Sequence, residues 1–347
     1  MKTAALMHAM QREGGAFQQV LVHTGQHYDR AMSDVFFEEL GLPEPDAYLS
    51  VGSGTHAEQT ARAMIAFEPV LLKFAPDVVV VVGDVNSTLA CAIVATKLGV
   101  RIAHVEAGLR SFDRSMPEEI NRILTDQIAD YLFTPSRDGD ENLKREGVDP
   151  KRVYFVGNVM IDTLIRLLPK TDPDRATKAV GVKPNNFALV TLHRPSNVDD
   201  PATLTEIMKA MAQVAEQRPV VFPVHPRTRA RINDLGLASL SGDVKLVEPA
   251  GYLDFLALES VASIVLTDSG GVQEETAYLG VPCLTLRPNT ERPVTIESGM
   301  NRLVASRTTD IVGAVDKMAA KGKARHTIPE LWDGHASERI ARILLEQ

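Results

Sequence analysis

The chain has 347 residues with a formal net charge of −8, one tryptophan and six tyrosines. That balance excludes a nucleic-acid surface, which needs a basic stripe with stacking aromatics, and the length exceeds the size at which one core stops growing, so two domains are expected. No apolar run approaches the roughly 20 residues of a membrane span, and Cys91 and Cys283 lie in apolar surroundings without metal-ligand spacing, which points to a reducing, cytoplasmic setting and no membrane partner.

In chain order, the first pattern is helical, Thr3 to Arg12, and the first strand candidate is Val20 to His23. A doubly wound domain opens on a strand, so the first strand of the N-terminal domain is missing from the pattern and polypeptide upstream of Met1 is expected. Gly52-Ser53-Gly54-Thr55-His56-Ala57 has the spacing of a dinucleotide loop, but no acid about 20 residues on ends a second strand, so the match is set aside. Short continuous apolar runs then read as buried parallel strands. They are Val78 to Val82, Ile102 to Val105, Tyr131 to Phe133, Val153 to Val156, Ala188 to Leu192, Val220 to Val224, Val244 to Val247, Ile264 to Leu266 and Pro282 to Leu286. Apolar residues spaced by three and four predict helices over Glu58 to Phe74, Thr88 to Lys97, Glu118 to Ile128, Leu204 to Ala215 and Ile311 to Ala319. The alternation implies an α/β fold of two Rossmann-like doubly wound domains facing a central cleft. Pro169 to Pro184, rich in proline and charge, reads as a hinge. The division is then an N-terminal domain at 1–168, a hinge at 169–184, a C-terminal domain at 185–330 and a final helix at 331–347 packing back toward the N-terminal domain.

Chemistry-bearing residues gather where strands give way to loops: Asp84, Glu106, His193 and Asp268. Asp84 fits either a site carboxylate or a cap for the helix beginning near Asn86. Glu118 fits a capping box in Ser115-Met116-Pro117-Glu118, with proline at the first helical position. His193 and Arg194 together need polar partners in a loop, which favours function, while His225 reads equally as a ligand contact or a fixed loop residue. Ser263 to Glu275 runs from an apolar strand through Ser269, Gly270 and Gly271 into an acidic helix start. Glycines, free N–H groups and the helix dipole suit a diphosphate there, with Glu275 about one turn on to reach sugar hydroxyls. The same segment also fits an ordinary turn with acids placed for the dipole. Arg110, Arg114, Arg194, Arg287 and Arg292 lie in or beside these loops, as neutralising a diphosphate requires. The nine histidines form no metal-type cluster, so no metal is expected.

Together these segments resemble the non-hydrolysing UDP-N-acetylglucosamine 2-epimerases. The matching stretches are Gly83 to Thr88, His104 to Arg110, Pro117 to Arg122, Thr191 to Arg194, Pro223 to Pro226, Thr267 to Glu275 and Thr290 to Pro293. The resemblance implies GT-B architecture, interconversion of UDP-GlcNAc and UDP-ManNAc for surface-polysaccharide synthesis, a homodimer and no nicotinamide or other cofactor. It implies that Asp84, Glu106, Glu118 and His193 are catalytic. It also implies that Lys2, Arg194, Phe255, Ser269, Gly270, Gly271, Glu275 and Arg292 bind substrate, and that Gln26, Arg62 and His225 form part of a regulatory site. Asp29 stands where the family commonly has glutamine, Ser196 where it has glutamate, and the Gly-Thr-Arg-Pro-Glu loop that precedes the lysine matched by Lys2 is not in the chain. Related activities are a retaining GT-B glycosyltransferase, a hydrolysing 2-epimerase and, without that loop, an inactive sugar-nucleotide-binding protein.

Overall fold

The computed structural model describes residues 1–25, 37–240, 242–321 and 326–346. The chain divides into two compact units, Met1–Thr163 with Glu330–Gln347, and Leu164–Pro329.

The first unit carries two parallel sheets. β1 (Val22–His23) pairs with β2 (Ala47–Tyr48), and β3 (Val78–Val82), β4 (Arg101–Val105), β5 (Tyr131–Thr134) and β6 (Val153–Phe155) form a four-stranded sheet in that order. β4 and β5 are covered on both faces, which is why Ile102, Ala103 and Val105 and the run Tyr131 to Phe133 read as apolar with no polar alternation. One face packs Phe67, Leu71, Ala92 and Val94 from the helices His56–Phe74 and Asn86–Lys97. The other packs Leu6 and Met10 of the helix Lys2–Arg12 with Ile340 of the helix Ala336–Leu345. β3 is an edge of this sheet, and four of its five valines are only half-buried. The final helix begins on a borrowed acceptor: Asp162 takes the N–H groups of Ala336 at 3.2 Å and Ser337 at 2.6 Å, satisfying donors a helix start leaves open.

The second unit has one parallel sheet of six strands. β7 (Ala188–Thr191), β8 (Val220–Pro223), β9 (Val244–Val247), β10 (Ile264–Thr267), β11 (Cys283–Thr285) and β12 (Asn301–Leu303) lie in the order β12-β11-β10-β7-β8-β9. The chain winds outward one way from β7 and the other way from β10, so the topological switch point, where such sheets bind ligands, falls between those two. Apolar clusters fill both faces, one around Met208, Phe222 and Leu284, the other around Phe187, Leu189 and Val265.

Local structure refines the sequence expectation in three places. Pro169 to Pro184 contains a helix, Pro173–Ala179, started by Asp172 accepting from the Arg175 N–H at 3.0 Å. Thr55 and Glu58 form a reciprocal capping box, which accounts for the polar residues of the Gly52 to Ala57 segment as the start of the helix His56–Phe74. At Pro117 the helix begins as expected with proline at the first position, but Met116 is the cap and the Ser115 hydroxyl donates to Asp113 instead.

Candidate active site

In the first unit the carboxylates emerge from the C-terminal ends of β3 and β4. Glu106 follows β4 directly, is 4 % exposed, and adopts φ +72°, a left-handed backbone that costs a non-glycine residue energy. It pairs with the Lys2 ammonium. Asp84 follows Gly83 at the end of β3 and does not cap the next helix, whose N-cap is Val85. It pairs instead with Arg122, and its backbone carbonyl accepts from Asn121 Nδ2 at 2.9 Å.

The helix Pro117–Ile128 supplies these partners from an unusual face. Its buried positions are Glu119, Asn121, Arg122, Thr125 and Asp126, all polar. Glu119 accepts from the Ser111 N–H at 2.9 Å, the Phe112 N–H at 2.8 Å and Arg122 Nη2 at 2.7 Å. Burial opposes ionisation of Glu119, but the Ser111 amide and the Arg122 guanidinium prevail and hold it below the usual carboxylate range. Those bonds fix the preceding loop, in which Phe112 stands 71 % exposed at φ +58°. Glu118 is partly exposed in the first turn of the same helix. Below Glu106, His104 and Asp126 form a wholly buried pair at 2.6 Å. Arg110, expected to face a phosphate, is committed to this pair through Asp126 at 2.7 Å and to Glu146 at 2.7 Å.

In the second unit the register Thr191↔Thr267 brings the ends of β7 and β10 together at the switch point. Asp268, fully buried, takes the backbone N–H of His193 at 3.1 Å and of Arg194 at 3.0 Å, Asn197 Nδ2 at 3.0 Å and His193 Nδ1 at 2.9 Å. Burial opposes its charge, but these donors, His193 foremost, hold Asp268 ionised. The pair at 2.9 Å sets Nδ1 as the protonated nitrogen and leaves Nε2 of the exposed His193 ring for a ligand. Ser269, Gly270 and Gly271 open the helix Gly270–Leu279, whose Ser269 cap has no side-chain bond to the first turn. A Cβ at Gly270 would collide with the Arg292 guanidinium, so the cation and the helix N-terminus occupy one place. Arg292 is held there by Glu274 at 2.7 Å and by Glu291, which also takes Arg287 at 2.7 Å. Arg194 Nε donates to the Asp268 carbonyl at 3.2 Å.

Glu275 is buried and accepts from the Tyr252 hydroxyl at 2.6 Å. Beside it lies Glu259, fully buried, with no N–H or hydroxyl donor on either oxygen among the described residues. Burial raises Glu275 to about 7 and drives Glu259 well above the carboxylate range, so the pair retains a proton near neutrality. Phe255 is half-buried on the helix that carries Tyr252 and Glu259.

The residues expected to regulate are placed less fully. Gln26 lies outside the described residues, and Asp29 with it. Arg62, in the first unit, donates to the Ser53 carbonyl at 3.1 Å, while His225, in the second, is exposed and accepts from the Arg227 N–H at 3.3 Å as a helix cap. Among the described residues no three metal-ligating side chains converge. Sequence reasoning missed Asp126, Tyr252 and Glu259. The first had a signal, since acids and a base at 119, 122 and 126 occupy one helical stripe.

Comparison with known proteins places this arrangement. A UDP-N-acetylglucosamine 2-epimerase of Methanocaldococcus jannaschii is 46 % identical over 332 residues, 93 % of this chain and 90 % of the relative. A UDP-2,3-diacetamido-2,3-dideoxy-D-glucuronate 2-epimerase of Pseudomonas aeruginosa is 45 % identical over 96 % of this chain and 92 % of its own. The crystal structure of the M. jannaschii UDP-GlcNAc 2-epimerase with UDP-GlcNAc and UDP matches with a TM-score of 0.92 at 43 % identity, covering 100 % of this chain and 96 % of that one. The α/β GT-B class expected from the sequence is the fold of these neighbours. Residues 8–345 match the family described as UDP-N-acetylglucosamine 2-epimerase, and the chain belongs to that family.

Proposed function

We propose that the protein interconverts UDP-GlcNAc and UDP-ManNAc by eliminating UDP and adding it back. The observation that carries this reading is the switch-point cluster, where a glycine-opened helix N-terminus, the Arg292 guanidinium and an Asp268-oriented His193 meet at one strand junction. These groups suit a leaving pyrophosphate, since fixed donors and cations act where negative charge develops.

The carbon to be inverted, C2 of the sugar, has no adjacent carbonyl, so its hydrogen is too weakly acidic for direct removal. When the C1–O bond breaks, its electron pair leaves with UDP and C1 becomes oxocarbenium-like. A carboxylate then takes the C2 proton and the C2–H electrons form the C1–C2 double bond of 2-acetamidoglucal. Protonation on the other face of C2 with return of UDP to C1 gives the epimer. Arg292 and the amides after Ser269 hold UDP, His193 Nε2 assists the departing phosphate, and Arg194 and Phe255 line the nucleotide. Glu275 receives the ribose hydroxyls. Asp84, Glu106 and Glu118 share proton transfer and stabilisation of C1, with Lys2 fixing Glu106. Gln26, Arg62 and His225 are assigned to a regulatory UDP-GlcNAc site by family resemblance.

A domain division at 1–168, 169–184, 185–330 and 331–347 accompanies this reading. A homodimer fits Ile65 and Leu72, exposed by 72 % and 64 % and seven residues apart on one helix. A cytoplasmic setting fits two buried free cysteines and the absence, among the described residues, of any helix long and apolar enough to cross a membrane.

The test is product analysis from UDP-GlcNAc alone. Formation of UDP-ManNAc supports the proposal, free ManNAc with UDP indicates a hydrolase, and no reaction without an added acceptor indicates a transferase. Parallel incubation with UDP-2,3-diacetamido-2,3-dideoxy-D-glucuronate tests the sugar, because the two differently named relatives are almost equally similar at 46 % and 45 %.

A further inference from the structure

We infer that His104 is a buried imidazolium that positions the turns carrying Asp84 and Glu106, and so is a positioning residue for the reaction proposed above, on which this role rests. Its ring is 0 % exposed and faces an acceptor at each nitrogen, Asp126 Oδ1 at 2.6 Å from Nδ1 and the Gly83 carbonyl at 2.9 Å from Nε2. A carbonyl demands a proton on Nε2. Nδ1 then either carries a second proton or accepts one from a protonated Asp126. The former is favoured by the other partners of Asp126, the Arg110 guanidinium at 2.7 Å and the Gly108 N–H at 3.0 Å, which both donate to Oδ2 and stabilise the ionised carboxylate.

Charge pairing points the same way. Asp126 meets Arg110 and the His104 ring, Glu106 meets Lys2, and Arg122 is shared between Asp84 and Glu119. A neutral imidazole would leave this carboxylate-rich interior shorter still of positive charge. The geometry also explains what the ring holds. Gly83 precedes Asp84, its N–H bonds to the Val105 carbonyl at 3.1 Å, and Val105 precedes Glu106. One ring therefore ties the end of β3 to the end of β4.

The experiment is nitrogen-15 NMR of the histidine rings in the unliganded full chain. Both His104 nitrogens carry protons at about pH 8, above the ordinary histidine value of about 6.5. A single protonated nitrogen at that pH overturns the imidazolium. Two variants read the positioning role, because asparagine reproduces the Nδ1 donor and glutamine the Nε2 donor. His104→Asn loses the Gly83 bond and lowers kcat about tenfold to a hundredfold, with UDP affinity unchanged, and His104→Gln retains more of kcat. Wild-type kcat in both variants overturns the role, as does an equal loss in both that follows stability alone. If the variants do not fold, the ring spectrum of the wild type still decides. A wild type that epimerises neither UDP-sugar overturns the proposed function instead, and leaves the ring result standing.

Discussion

Burial raises Glu275 to about 7, and the neighbouring charge of Glu274 adds to it. Above that pH the side chain is a carboxylate that accepts hydroxyl donors; below it Glu275 is protonated as well as Glu259. UDP affinity should therefore weaken as pH falls from about 8 to about 6, by up to about tenfold per pH unit below 7. Calorimetry on the wild type and on Glu275→Gln checks this, because the variant keeps the phosphate titration of UDP and loses the part due to Glu275. Arg292 lies against Gly270 with two acids fixing its plane, so Arg292→Ala should lower kcat/KM about 100-fold to 1000-fold, the scale of removing one donor to a developing anion. His104 has the opposite sign to an acid. Burial pushes it down, but Asp126 outweighs burial and raises it, so its contribution to stability is complete below about pH 6.5 and is lost as pH climbs through the folded value. Urea unfolding from about pH 6 to 9 should show a decline of up to about 1.4 kcal/mol per pH unit that His104→Gln lacks.

At the scale of elements, parallel strands were the most legible feature. β7 and β10 are runs of Val, Ile, Leu and Ala closed by Thr191 and Thr267, and their burial on both faces needs no polar alternation, while the edge strand β3 is five valines in a row. The helix Pro117–Ile128 was legible in extent but not in orientation, because its inward face is acidic, basic and amide side chains that satisfy one another. Apolar periodicity cannot report such a face, since the pairing lies 35 to 38 residues away at Asn86 and Asp84. The strand-end placement of Asp84, Glu106, His193 and Asp268 could be read because the strands before them are legible and β/α loops concentrate chemistry, whereas Tyr252 and Glu259 sit in a helix whose other buried residues, Leu256, Ala257 and Leu258, are apolar and whose role depends on what it packs against. The final helix depends on one acceptor outside itself. Asp162→Ala removes it and should cost about 1 to 2 kcal/mol in chemical denaturation, the range of a lost N-terminal cap, without altering UDP affinity.

For the whole molecule, a net charge of −8 sets a general repulsion for an anionic nucleotide, which local cations must overcome. In the proposed function Arg292 and Arg194 are those cations in the second unit, along with a helix N-terminus. Each unit has its own apolar clusters, so a ligand of one unit acts on that unit's stability. UDP at a hundredfold excess over its Kd should stabilise the protein by about 2.7 kcal/mol, with hydrogen-exchange protection at the first turn of Gly270–Leu279. The account as a whole stands on one bond-breaking order, C1–O rupture that makes C2–H removable. Its most direct measurement is NMR of UDP-GlcNAc incubated with the protein in deuterium oxide. The account predicts UDP-ManNAc carrying deuterium at C2; UDP-ManNAc that retains its original C2 hydrogen, or no epimer at all, would contradict it.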